Sequence, residues 1–183
     1  MAKKHMSKSE LLQLINRVKV AEKSREKCSY TGMATIANHL LWKEYHWDQE
    51  ALSNYNQMVH HYYERYYNGQ ITKECLNSQL LDYAGFDVEF YESSVNDMGV
   101  PPGNKYLSSM AQRIVEADND IYDMSQLYLL IHFHVLIDMG RSVSFLKQHK
   151  DRVNHKLSVS RGKVQLFHKE LLDGPGIYIE IPT

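Results

Sequence analysis

The stretch MSQLYLLIHFHVLIDM, Met124–Met139, decides how this chain is read. From Leu127 to Ile137 it is apolar on almost every helical face, through Leu127, Leu129, Leu130, Ile131, Phe133, Val135, Leu136 and Ile137. A helix at the surface keeps a polar stripe, so one that is apolar all round is predicted to be the central buried helix. The run of 11 residues contains His132 and His134 and is too short for a membrane span. No membrane partner is expected.

Working outward, the helical period recurs on both sides. Residues 8–27 carry Leu11, Leu14, Ile15, Val18 and Ala21 at helical spacing, with Lys19, Lys23 and Lys27 as a basic ridge. Met33, Ile36, Ala37, Leu40 and Leu41 define a second stripe after an interruption at Ser29–Gly32. Asp48 is placed to cap a third helix with Leu52, Tyr55, Val59, Tyr62 and Tyr66 inside, and Asn68-Gly69 to stop it. Thr72 starts a fourth helix holding Leu76, Leu80 and Leu81, which Gly85 closes. A fifth, Tyr106–Ala117, precedes the central one, and Val143, Phe145 and Leu146 continue beyond Gly140 to about His149.

Near the C-terminus the period changes. Leu157 and Val159, then Val164 and Leu166, alternate with polar residues around the turn Ser160–Lys163. Ile177, Ile179 and Ile181 alternate after Gly174-Pro-Gly176, and Phe86–Phe90 reads as a short strand. The expectation is an α+β fold of about six helices with a small C-terminal antiparallel sheet. Its predicted organisation is a helical region over 1–92, a linker over 93–104 containing Gly99-Val-Pro-Pro-Gly103, and a helical hairpin plus sheet over 105–183, packed as two parts or as one domain.

Charge is sorted by block. The net charge of −1 divides into +5 for residues 1–30, −7 for 31–100, −3 for 101–140 and +4 for 141–183. Such a chain can offer a basic surface to one partner and an acidic one to another. Thirteen tyrosines suit half-buried and interfacial surfaces. Cys28 and Cys75, with no apolar signal segment, predict free thiols in the cytoplasm of a host cell.

Catalytic and metal motifs fail on inspection. On a helix His60 and Glu64 share a face, as do His61 and Arg65, but two ligands need a third and fourth. His134 and Asp138 stand four residues apart and could form an acid–base dyad, although a satisfied core histidine is the commoner outcome. Asp118–Asp123 begins like a calcium loop, but Asp123 stands where the turn needs glycine and Leu129 where the bidentate glutamate belongs. No Walker loop, dinucleotide fingerprint or nucleophile elbow occurs. No catalytic residue, metal or cofactor is expected. The candidate sites are surfaces. Lys147, Lys150, Arg152, Lys156, Arg161 and Lys163, with Lys19 and Lys23, would contact phosphates. Glu64, Tyr63, Tyr67, Glu89 and Glu92, from the acidic tyrosine-rich middle, would contact a protein partner.

The segments Ala34-Thr-Ile-Ala-Asn-His-Leu-Leu-Trp42-Lys-Glu-Tyr45, Asn68-Gly-Gln-Ile-Thr72 and Leu80-Leu-Asp-Tyr-Ala-Gly-Phe86 resemble small helical proteins of Firmicutes phages and mobile elements. Some of those are anti-CRISPR inhibitors of the type II RNA-guided effector nuclease. The resemblance lies mainly in residues 33–87 and carries no defined functional residues. It implies a non-enzymatic inhibitor whose protein partner is a host defence nuclease, acting by occlusion or by locking a conformation. The alternative is a phage DNA- or RNA-binding accessory protein; a metal-dependent hydrolase on His134/Asp138 or His60/Glu64 ranks below both. The oligomeric state stays open, a homodimer included.

Overall fold

Helix punctuation comes first, because short-range chemistry sets it. In the computed structural model, which describes residues 7–13, 15–17, 30–88, 105–159 and 163–179, six long helices follow in order. They are α1 (Tyr30–Tyr45), α2 (Gln49–Tyr67), α3 (Lys73–Ala84), α4 (Lys105–Asp138), α5 (Val143–Val159) and α6 (Val164–Asp173). Residues 8–13 and 15–17 are also helical. Their start is a reciprocal cap: the Glu10 N–H donates to Ser7 Oγ at 3.2 Å and the Ser7 N–H to Glu10 Oε2 at 2.6 Å.

Asp48 caps α2 by accepting the Ala51 N–H at 2.9 Å, and Thr72 caps α3 by accepting the Cys75 N–H at 3.2 Å. Gly140 ends α4 in the left-handed conformation at φ +77°. There the Arg141 N–H reaches Leu136 O at 2.9 Å and the Gly140 N–H reaches Ile137 O at 2.8 Å, a Schellman closure. Gly69, at φ +67°, closes α2 the same way.

Two helices are more continuous than the sequence suggests. Tyr106–Ala117 and the central helix join into the 34-residue α4, because no glycine or proline separates residues 105 and 138. The calcium-loop-like run at residues 118–123 is therefore helix interior. α5 likewise continues past His149 to Val159.

The predicted sheet is overturned. Among the described residues there is no strand. Leu157 and Val159 belong to α5, and Val164 and Leu166 to α6. Two apolar residues spaced by two fit a helix as well as a strand. The longer pattern decides: Phe167 and Leu171, four apart, are the buried positions of α6. Phe86–Val88 and residues 177–179 belong to no helix or strand. Val88 donates its N–H to Asn77 Oδ1 at 2.9 Å, and Ile177 donates to Leu171 O at 3.0 Å. The alternation does hold for burial, since Ile177 and Ile179 point inward and Tyr178 outward. The turn at residues 160–162, Phe90, Ile181 and the linker at 93–104 lie outside the described residues.

One apolar core gathers residues from α1 through the tail, including Leu41, Leu52, Leu80, Leu136, Leu146, Leu171 and Ile177. α4 packs against α1, α2 and α3, and Leu130, Ile131, Val135 and Leu136 are sealed from solvent. α1 is buried just as completely, from Gly32 through Leu41, and touches α2, α4, α5 and α6. Asn38 and Asn56 exchange side-chain amide hydrogen bonds at 2.9 Å, while the buried Thr35 hydroxyl has no hydrogen-bond partner.

Gly174 stops α6 beneath the Trp42 indole, and a Cβ there would lie 2.5 Å from Trp42 Cη2 and Cζ2. Its φ of −95° is open to any residue, so the constraint is purely steric. Gly174→Ala should cost about 1–3 kcal/mol in urea unfolding. Trp42→Leu in the same chain should make that second substitution close to neutral; an equal cost in both backgrounds would mean that the indole is not the obstacle.

Candidate functional site

The least expected feature is a chain of hydrogen bonds through the core. Tyr128 Oη and Tyr55 Oη are 2.9 Å apart, and Tyr55 Oη lies 2.6 Å from His132 Nδ1. His132 Nε2 meets His149 Nε2 at 2.7 Å, and His149 Nδ1 meets Tyr45 Oη at 3.0 Å. Five side chains from α1, α2, α4 and α5 are thereby linked. Each imidazole–imidazole contact holds one proton, so one ring donates through Nε2 and the other accepts. The chain can run in either sense, from Tyr128 to Tyr45 or back, with both rings neutral.

Burial explains that neutrality. His149 is pushed down from 6.5 to about 4 by desolvation and then by the nearby Arg152 guanidinium. Burial also drives His132 well below its ordinary value, and its neighbour His149 adds to this. The hydroxyls of Tyr55 and Tyr128 are raised, again chiefly by burial. Both histidines are 0% exposed, so these groups cannot touch a substrate from bulk solvent. Their role is to join helices.

The His134/Asp138 dyad does not form. His134 Nε2 donates to Leu76 O at 2.8 Å, while Asp138 Oδ2 accepts from Tyr62 Oη at 2.8 Å. The two side chains tie α4 to α3 and to α2 respectively. A second histidine contact went unread in the sequence: His39 Nε2 donates to Glu170 Oε2 at 2.7 Å, joining α1 to α6. Burial lowers His39, and its hydrogen bond holds Glu170 below the usual carboxylate range. A neutral imidazole therefore donates to an ionised carboxylate.

On the outer side, α2 and the tail enclose an open cleft of about 300 Å³. Asn56, Gln57, His60, His61 and Glu64 line one wall and Tyr178 the other, with Tyr30 and Ile179 completing it. His60 Nε2 stands 3.5 Å from Glu64 Oε1, and His61 Nδ1 stands 3.6 Å from Glu64 Oε2. Of the residues expected to meet a protein partner, Glu64 is therefore in the cleft and exposed. Tyr67 projects beside it, 62% exposed. Tyr63 is not available: at 1% exposure it packs edge-on against Tyr30 at 5.0 Å. Glu89 and Glu92 lie outside the described residues. Tyr178, 66% exposed, is the wall residue that the sequence did not single out. Among the described residues no group of three or more His, Cys, Asp or Glu is arranged to hold a metal ion.

The basic candidates are dispersed and largely engaged. Lys150 donates to Asp87 O at 3.2 Å and lies 4.7 Å from the Phe86 ring centroid. Arg152 pairs with Glu44 at 3.0 Å and sits over Tyr45. Lys156 lies 4.6 Å from the centre of the Phe167 ring. At about 100° per residue, Lys147 and Lys150 point to one side of α5, and Arg152 and Lys156 to another. Lys147 and Lys163 are exposed. Lys19, Lys23 and Arg161 lie outside the described residues.

Comparisons with protein-family models, curated proteins and solved structures find no match to this chain. Among the described residues, no helix is long and apolar enough to cross a membrane.

Tyr55→Phe removes the hydroxyl that joins Tyr128 to His132. It should cost about 1–3 kcal/mol, because two buried groups lose a partner at once. Tyr45→Phe, at the half-buried outer end, should cost less. Chemical denaturation of both variants checks the order.

Proposed function

We propose that this chain is a non-enzymatic binding protein whose partner docks on the outer face of α2 and the adjoining tail. The cleft carries this reading. It presents a carboxylate, two imidazoles and the exposed ring of Tyr178, and the exposed Tyr67 follows Glu64 by three residues on α2, a combination suited to a basic protein surface. The cations of α5 favour this reading over nucleic-acid contact, since Lys150, Arg152 and Lys156 are occupied by groups of the chain itself.

The resemblance in residues 33–87 makes the type II RNA-guided effector nuclease the first partner to test, with the chain as an anti-CRISPR inhibitor. Inhibition would come from covering a groove built for nucleic acid, with no bond made or broken.

Surface association of the guide-loaded nuclease with immobilised protein supplies the test. Glu64→Lys should slow association, by an amount that shrinks as salt rises. Tyr178→Ala should speed dissociation, at a cost of about 1 kcal/mol or more if the ring is an anchor. Unaltered kinetics in both variants would remove this face from the interface. No binding to the nuclease, together with salt-sensitive binding to duplex DNA, would make the nucleic-acid accessory protein the better account.

A further inference from the structure

We propose that His149 makes the docking of α5 onto α1, α3 and α4 acid-sensitive, so that taking up a proton releases α5 while α1–α4 stay packed. The inference is independent of the partner reading above. It rests on how α5 is held. Leu146 and Val153 are its sealed apolar contacts, and His149 lies between them with both ring nitrogens committed. Further ties among the described residues include Arg152 to Glu44, Lys150 to Asp87 O, Lys156 over the Phe167 ring of α6 and Phe145 against Tyr45.

Nothing around His149 welcomes a charge. From α1 it faces the Tyr45 hydroxyl; from α4 it faces the His132 and Phe133 rings, and His132 hands the hydrogen bond on to Tyr55 of α2. From α5 itself it faces Phe145, stacked at 5.4 Å, and the Arg141 guanidinium just before α5 lies 5.5 Å from the centre of that ring. Next to the end of α3, Phe86 packs on Phe133, and Lys150 lies over Phe86. The charged group whose field bears on His149 is Arg152, which repels an imidazolium. Glu44, the nearby acid, is already paired with Arg152. One added proton leaves the central N–H···N contact formed but puts a cation in a site with no exposure beside the Arg152 guanidinium, and a second would set two N–H groups against each other at the His132–His149 contact.

α1–α4 keep their own ties without α5. These include Asn38 to Asn56, Tyr62 to Asp138 and His134 to Leu76 O. A local opening of the least anchored helix therefore precedes global unfolding.

The sign follows from linkage. A docked value below the ordinary one means that detached α5 binds the proton more tightly, so docking is full above about 6.5 and weakens as pH falls toward 4. From 6.5 when detached to about 4 when docked, the opening constant rises roughly 70-fold between about pH 7.5 and about pH 4.5.

Amide hydrogen exchange of the whole chain, corrected for the intrinsic effect of pH, provides the test. α5 amides should lose protection by about that factor, with α2 and α4 amides changing far less. In His132→Leu/His149→Leu, which removes both partners of the central bond, α5 protection should become insensitive to pH over this range. Nitrogen-15 imidazole shifts of the unaltered protein give a second readout that does not depend on the variant folding. His149 should take up its proton over the same pH interval in which α5 opens. Unchanged α5 protection at the lower pH, loss from α2 and α5 together, or proton uptake by His149 with α5 still closed would each overturn the proposal.

Discussion

The hydrogen bond between His132 and His149 constrains everything around it. Two imidazoles with no exposure meet nitrogen to nitrogen, so both stay neutral and they take opposite roles. Each outer nitrogen must then find a hydroxyl, which Tyr55 and Tyr45 supply. A hydroxyl can donate or accept, so the chain is satisfied whichever ring carries the central proton. Replacing an inner member, Tyr55, His132 or His149, with a group that can only donate or only accept would leave a buried atom without a partner. The requirement couples four helices that share few other polar contacts.

Such a chain is poor value as simple stabilisation, since apolar side chains of similar volume would fill the same space at less desolvation cost. What it adds is geometry. Leucines tolerate sliding and rotation between helices, whereas a Tyr–His–His–Tyr line fixes the azimuth of α4 and the height of α5 together. α4 needs that restraint. Its Leu127–Ile137 stretch is apolar on nearly every face and offers few internal cues as to which side should meet which neighbour. His132 reaches α5 from one side of the helix, and His134 and Asp138, four residues apart on the opposite side, reach Leu76 of α3 and Tyr62 of α2, which together orient it.

Local signals are the legible part of this fold. Asp48, Thr72, Gly69 and Gly85 act as the sequence predicts, because a cap or stop is completed within a few residues of itself, whereas Gly140, past which the sequence reading continues the helix, ends it. The buried role of α4 is legible because its apolar run exceeds what one face requires. The sheet is misread where a two-residue alternation at Leu157/Val159 and Val164/Leu166 falls within a longer helical period. The full burial of α1 is hidden by Thr35, Asn38 and His39, which look like an outer face until Asn56 and Glu170 arrive from α2 and α6. His149 carries a usable signal, since it lies three residues after Leu146 and four after Phe145 on the inner side of α5. No local signal pairs it with His132, which is 17 residues away.

The same distinction governs the candidate site. Charge is sorted in blocks along the chain, but folding brings the blocks together. Glu44 of the acidic middle meets Arg152 of the basic tail, Lys73 meets Asp123, and Lys150 settles on Asp87 and Phe86. Much of the basic surface expected from the sequence is consumed in holding α5 and α3 in place. Glu64 is different, because its ion-pair partners are the imidazoles of His60 and His61. Among the described residues no lysine or arginine pairs with it. That leaves it, beside Tyr67 and Tyr178, as a negative point among exposed rings, where a basic partner would gain both charge contact and aromatic burial.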